Sequence, residues 1–177
     1  MLHLRFPFRR PRPQGLPLLT RLAGRFRLRG LDQADAPAVK AHFLRLSPEA
    51  RGSRFHGSLS DEAICAYVDR IDWSQTYAFG AFVRGDLRAM SELAAYPTSG
   101  AGEVALSVEP QLQGKGLGRT LILLTMLAAR RVGMSSLHLF YQAENQSMRS
   151  LARNLGAKAT RDGGSFDGVI SVRGRKD

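Results

Sequence analysis

Cysteine is almost missing from this chain. Cys65 is the only one in 177 residues, so no internal disulfide framework can form. The four histidines are scattered and offer no metal-ligand spacing, so no metal is expected. No apolar run approaches the roughly 20 residues of a membrane-spanning helix, and the apolar core of a secretory signal is lacking. A reducing cytosol, with no membrane partner, is the expected home. Acidic residues are absent from the first 31 positions, which hold eight arginines; that segment carries +8 of the net +11 and leaves +3 for the rest. Prolines 7, 11, 13 and 17 block a continuous helix there. Residues 1–24 therefore read as a basic Arg/Pro-rich tail, expected to be disordered. A basic arm that touches nucleic acid is the alternative, and an organellar transit peptide fits the arginines but not the prolines and scarce serine.

With 44% apolar residues, positions 25–177 suit one domain with a core of ordinary size. A first strand is expected over 25–29, then a helix capped by Asp32 or Asp35 and running through Leu46. Pro48 opens a short helix, and Ser60-Asp61-Glu62 starts another. Residues 76–84 and 87–96 form two strands about a turn at Gly85-Asp86. Val104, Leu106 and Val108 alternate with Glu103, Ala105 and Ser107, a period-two strand that Pro110 stops. Leu117, Leu121, Leu124 and Ala128 then recur at helical spacing, and Gly133 ends that helix. A strand over 137–142, a helix led by Asn145, and two strands about Gly163-Gly164 complete the chain. The fold class is α/β, with an antiparallel half followed by a strand, crossover helix and strand.

Between the strand and helix lies Gln113-Gly114-Lys115-Gly116-Leu117-Gly118. A glycine loop at a helix start is an anion site, because unpaired N–H groups converge there and glycines let phosphates approach. It is not a Walker loop, since Gly116 rather than Ser or Thr follows Lys115. Nor is it a dinucleotide fingerprint, because Arg119 and Leu121 stand where the third glycine should be.

Gln113, Gly116 and Gly118 do match Q-x-x-G-x-G after a strand ending in Val-Glu-Pro. This resembles the GCN5-related N-acetyltransferase family, whose loop of this form wraps the pyrophosphate of acetyl-coenzyme A. A second block agrees: the strand over 137–142, then Asn145, Met148, Leu151 and Leu155-Gly156, resembles that family's asparagine-led helix beside the pantetheine arm. The resemblance implies a mixed sheet of six or seven strands and acetyl transfer from acetyl-CoA to a primary amine. It also implies cofactor contacts from the backbone of Val108, from Gln113, Gly114, Lys115, Gly116, Leu117, Gly118 and Arg119, and from Asn145. Gly102-Glu103-Val104-Ala105 and LSPEARGSRF are similar to segments of the bacterial protein-lysine acetyltransferase branch, in which the matching glutamate is the catalytic base. Glu103 is therefore the expected base, against the plainer reading of a polar residue on a half-exposed strand.

Glu92, on the neighbouring strand, reads as a solvated or salt-bridged surface residue that could help place the amine. Many family members carry an acidic tyrosine where Ala152 stands. Tyr141 could substitute, but it shares a face with Leu137 and Leu139 and reads better as packing. The acceptor is a protein lysine or a small amine, and the chain a monomer or homodimer. Two other functions stay open: a non-catalytic acyl-CoA-binding regulator, which the missing tyrosine favours, and nucleic-acid binding through the arginine arm.

Overall fold

Short polar side chains start the first helices. Asp32 accepts from the Ala34 amide while Asp35 reaches back to the Asp32 amide, a capping box around the 3-10 turn Gln33–Asp35. Helix α1 (Ala36–Leu44) follows. Ser47 and Ser60 cap α2 (Pro48–Phe55) and α3 (Asp61–Asp69) by accepting from the amides of Ala50 and Ala63. α1 ends two residues before Leu46 because Ser47 and Pro48 begin a new helix and Leu46 turns into the core. The computed structural model describes residues 26–173, so the expected basic tail lies outside the described residues.

Seven strands form one sheet: β1 (Arg27–Leu31), β2 (Thr76–Val83), β3 (Asp86–Ala95), β4 (Ala101–Val108), β5 (Ser136–Gln142), β6 (Lys158–Asp162) and β7 (Ser165–Ser171). Their order is β1-β2-β3-β4-β5-β7-β6, and only β4 and β5 are parallel. Helix α4 (Leu117–Arg131) makes the crossover between that pair, and α5 (Gln146–Asn154) follows β5. The β2–β3 turn falls on Arg84-Gly85, one residue earlier than expected. A two-residue hairpin turn takes two successive residues at positive φ, here 52° and 93°. Arg88 is an extra residue in β3, between Leu87 opposite Phe82 and Ala89 opposite Ala81.

The sheet separates two layers. On one face Ile122, Ala129 and Ala152 of α4 and α5 pack against Val104, Leu137, Leu139 and Ile170. On the other, Val39 and Phe43 of α1 and Ile64 and Val68 of α3 pack against Ala78, Phe82 and Met90. Alternation along β4 sends Val104 to the α4 layer and Ser107 to the α1 layer, where it bonds His42. Among the described residues no helix is long and apolar enough to cross a membrane.

Candidate active site

β4 and β5 are paired for only three rungs: Ala101 with Ser136, Gly102 with Leu137, and Glu103 with His138. Beyond that rung β4 continues against β3 as far as Val108, and β5 against β7 as far as Gln142. The facing edges of residues 104–107 and 139–141 thus have no ladder between them, which leaves backbone groups there for something else to bond. A cavity of about 30 Å³ lies there, lined by residues 103–106 of β4, Phe140 and Tyr141 of β5, Arg54 of α2 and Met148 of α5. Both faces of β4 contribute, so the opening passes through the sheet. Its volume holds about two waters.

The glycine loop stands at the end of β4. Gly114 and Gly116 have φ of 71° and 79°, a left-handed backbone that a Cβ disfavours, and a Cβ at either would meet nothing within 4 Å. Space is therefore open in front of the loop. Gly116 caps α4 without a side chain, and the first intrahelical bond runs from the Thr120 amide to its carbonyl at 3.0 Å. The amides of Leu117, Gly118 and Arg119 are left without an intrahelical acceptor, at the positive end of a helix of 15 residues. Gly118 has a different purpose: a Cβ would come within 3.1 Å of Leu106 Cδ2, so its absence lets the first turn of α4 lie on β4.

The expected contact residues divide by occupation. Gln113 Nε2 donates to the Val108 carbonyl at 3.0 Å, which braces the loop against the strand. Lys115 Nζ donates to the Gln111 carbonyl at 2.8 Å. Leu117 buries its side chain, so only its backbone faces the loop, whereas Arg119 is exposed with no bonded partner among the described residues. Asn145 caps α5 by accepting from the Met148 amide at 3.0 Å, and its Nδ2 donates to Ser53 Oγ at 2.6 Å. It therefore ties α5 to α2 beside the opening. These residues fit a diphosphate: open glycines, convergent amides and two cationic side chains within five positions.

Glu103 lines the opening at the last paired rung and is half-buried. Tyr141 is 3% exposed and stacks on Phe166 at 5.7 Å, as the packing reading requires. Ala152 is fully enclosed, so that position supplies no acid. Glu92 is salt-bridged, one of its two expected states, but buried rather than at the surface, at 9% exposure: it accepts from Arg54 Nη2 at 2.7 Å and from the Tyr67 hydroxyl at 2.8 Å. Arg54 in turn lies over the rings of Phe43, Phe55 and Tyr67 at 5.3, 4.8 and 5.4 Å. Burial, opposed by Arg54, pushes the Tyr67 phenol up to about 12, so it remains a donor to Glu92.

One polar cluster escaped the sequence reading. His42, on α1, has Nε2 2.8 Å from Ser107 Oγ and Nδ1 3.4 Å from Glu109 Oε1. Arg45 and Arg88 also donate to Glu109, at 3.0 and 2.9 Å. Burial alone would raise the Glu109 carboxyl, but Arg88, Arg45 and His42 together hold it below the usual range. The one available hint was a carboxylate directly before Pro110, where the chain leaves the sheet.

The family model described as acetyltransferase (GNAT) domain matches residues 25–158. An acetyltransferase of Pseudomonas aeruginosa is 34% identical over 142 residues, which cover 76% of each chain. This chain belongs to the GNAT acetyltransferase family. Solved structures share its fold. The GNAT domain of S. lividans PAT superposes with a TM-score of 0.71 at 19% identity, over 82% of this chain and 90% of that one. The PaiA N-acetyltransferase of Thermoplasma acidophilum, in complex with coenzyme A, gives 0.62 at 19%, over 82% and 98%. Family membership supports acyl-CoA-dependent acetyl transfer in general.

Proposed function

We propose that this chain moves an acetyl group from acetyl-CoA to a primary amine, on a protein lysine or a small molecule, by direct attack in a ternary complex with Glu103 as base. The observation that carries the reading is the end of the β4–β5 ladder at Glu103, which sets a carboxylate in an opening through the sheet beside the glycine loop. The amides of Leu117, Gly118 and Arg119 and the cations of Lys115 and Arg119 would hold the diphosphate, and the α5 side of the opening, headed by Asn145, would flank the pantetheine arm. When bound, acetyl-CoA supplies an acetyl thioester activated toward amines.

The chain's own work is to prepare the amine. An alkylammonium with a reference pKa near 10.4 is neutral in only about one molecule per thousand at pH 7.4, and the charged form cannot attack. Glu103 accepts that proton. Free N–H groups on the facing edges of β4 and β5 are the donors for negative charge developing on a carbonyl oxygen in the opening. No side-chain acid is needed for the departing sulfur, since the thiolate of a thiol near 8.5 is a good leaving group that takes up a proton from water after it departs. Cys65 lies on α3 and does not line the opening, which favours direct attack over a covalent thioester on the chain.

Thiol release over a panel of amines and lysine peptides, with calorimetry of acetyl-CoA, tests this. Glu103→Gln should keep coenzyme binding and lose about 100-fold or more in turnover. Equal rates for variant and wild type would reject Glu103 as base.

A further inference from the structure

His138 and Asp167 are unused by the chemistry above, yet they adjoin its central carboxylate. His138 is the register partner of Glu103 on the last rung before the strands part. Partners across adjacent strands point to the same face with backbones about 4.8 Å apart, so His138 rises from the same side of the sheet as Glu103, one strand further from the opening that Glu103 lines. His138 Nδ1 lies 3.0 and 3.1 Å from the two oxygens of Asp167, which leaves Nε2 as the nitrogen with a free lone pair. The ring is held on both sides, by Tyr96 edge-on at 5.6 Å and by Phe140 stacked at 6.1 Å. Its side chain is 23% exposed, so it also meets solvent.

We propose that His138, oriented by Asp167, receives the proton that Glu103 takes from the amine and passes it to water. This rests on the acyl-transfer reading. The proton balance requires such an exit: an alkylammonium and a thioester become an amide, a thiol and one proton, and a Glu103 left protonated could not serve the next turnover. The resulting imidazolium faces the Asp167 carboxylate. The groups around His138 suit the transfer: Glu103 from β4, Asp167 from β7, and the Tyr96 phenol after β3, with Lys158 of β6 in the same row two strands away. Burial, then the charges of Glu103 and Asp167, raise the Tyr96 phenol, so it stays protonated. His138 is thus a positioning and relay residue, acting through Glu103.

The test uses the full chain, with whichever amine the wild type turns over. His138→Ala should bind acetyl-CoA as the wild type does, lose about 10- to 100-fold in kcat at pH 7.5, and regain much of it when imidazole is added to the assay. Asp167→Asn should move the acidic limb of the kcat/KM profile while imidazole leaves it unchanged. Unaltered kcat in His138→Ala, or a loss that imidazole does not restore while coenzyme binding persists, overturns the relay. If His138→Ala does not fold, His138→Gln decides: an acidic limb identical to that of wild type overturns the relay, and a displaced one supports it. Absence of turnover by the wild type itself removes the acyl-transfer reading, a result distinct from failure of the relay.

Discussion

Mild acid should destabilise the protein through His42 before the carboxylates titrate. His42 is 0% exposed, and burial lowers it from 6.5 to about 4 against the opposing pull of Glu109. A depressed imidazole favours its neutral form in the fold, so between these two values the unfolded chain binds a proton that the folded chain refuses. The contribution is complete above pH 6.5 and falls as the pH drops towards 4. At 1.36 kcal/mol per pKa unit the full loss is about 3 kcal/mol, and some 2 kcal/mol of it, roughly, is already gone at pH 5. The Glu109 carboxyl is depressed too, so its share is lost as the pH falls from the ordinary carboxylate value downwards, which overlaps only the acid end of this window, below pH 5. Urea unfolding followed by the fluorescence of Trp73, which packs against the α1–α3 core, measures the effect at pH 7.5, 6.5, 5.5 and 5. His42→Gln removes the titration while keeping a polar side chain near Ser107 and Glu109. The variant should be weaker at pH 7.5 but flatter by about 2 kcal/mol down to pH 5. Parallel curves for wild type and variant would refute the argument.

Glu92→Ala should destabilise by about 3–5 kcal/mol, because it strips a buried guanidinium of its carboxylate, whereas loss of an exposed pair would cost under about 1 kcal/mol; chemical denaturation separates the two. Gly116→Ala meets no neighbour within 4 Å but must hold φ near 79°, so a stability loss of about 1–2 kcal/mol is expected, with weaker acetyl-CoA binding by calorimetry. Asn145→Ala removes both a helix cap and the tie to Ser53, and should cost about 1 kcal/mol in thermal unfolding, with increased hydrogen exchange in the first turn of α5.

What could be read from the sequence was local. The alternation that places Glu103, the glycines before α4 and the Asn145 cap each depend on residues within four or five positions, and all are found where expected. What could not be read depends on distant partners. Arg54 and Glu92 are 38 positions apart, His42 and Glu109 67, and Asn145 and Ser53 92. Glu92 looked like a surface carboxylate because an alternating strand marks every second residue as polar without saying what covers it. Only α2 and α3, folded onto that face, convert it into a buried ion pair. The hairpin turn was misplaced by one residue because Arg84, not Asp86, takes the positive φ beside Gly85, a choice that the pairing of Val83 with Asp86 fixes.

The parting of β4 and β5 has a further consequence for how two substrates could meet. The glycine loop and α4 belong to one face of the sheet, while Glu103, Glu92 and the α1–α3 layer belong to the other. A continuous ladder would keep a coenzyme on the first face about one sheet thickness from an amine on the second. Three rungs hold the strands together, and their loss beyond Glu103 opens a passage lined from both faces of β4. Under the proposed reading, acetyl and amine then approach from opposite sides and touch only where backbone groups are unpaired. The arrangement is sensitive to register: a shift of one residue in β4 would carry Glu103 to the α4 face and Val104 to the amine side, which removes the base while leaving every glycine of the loop in place.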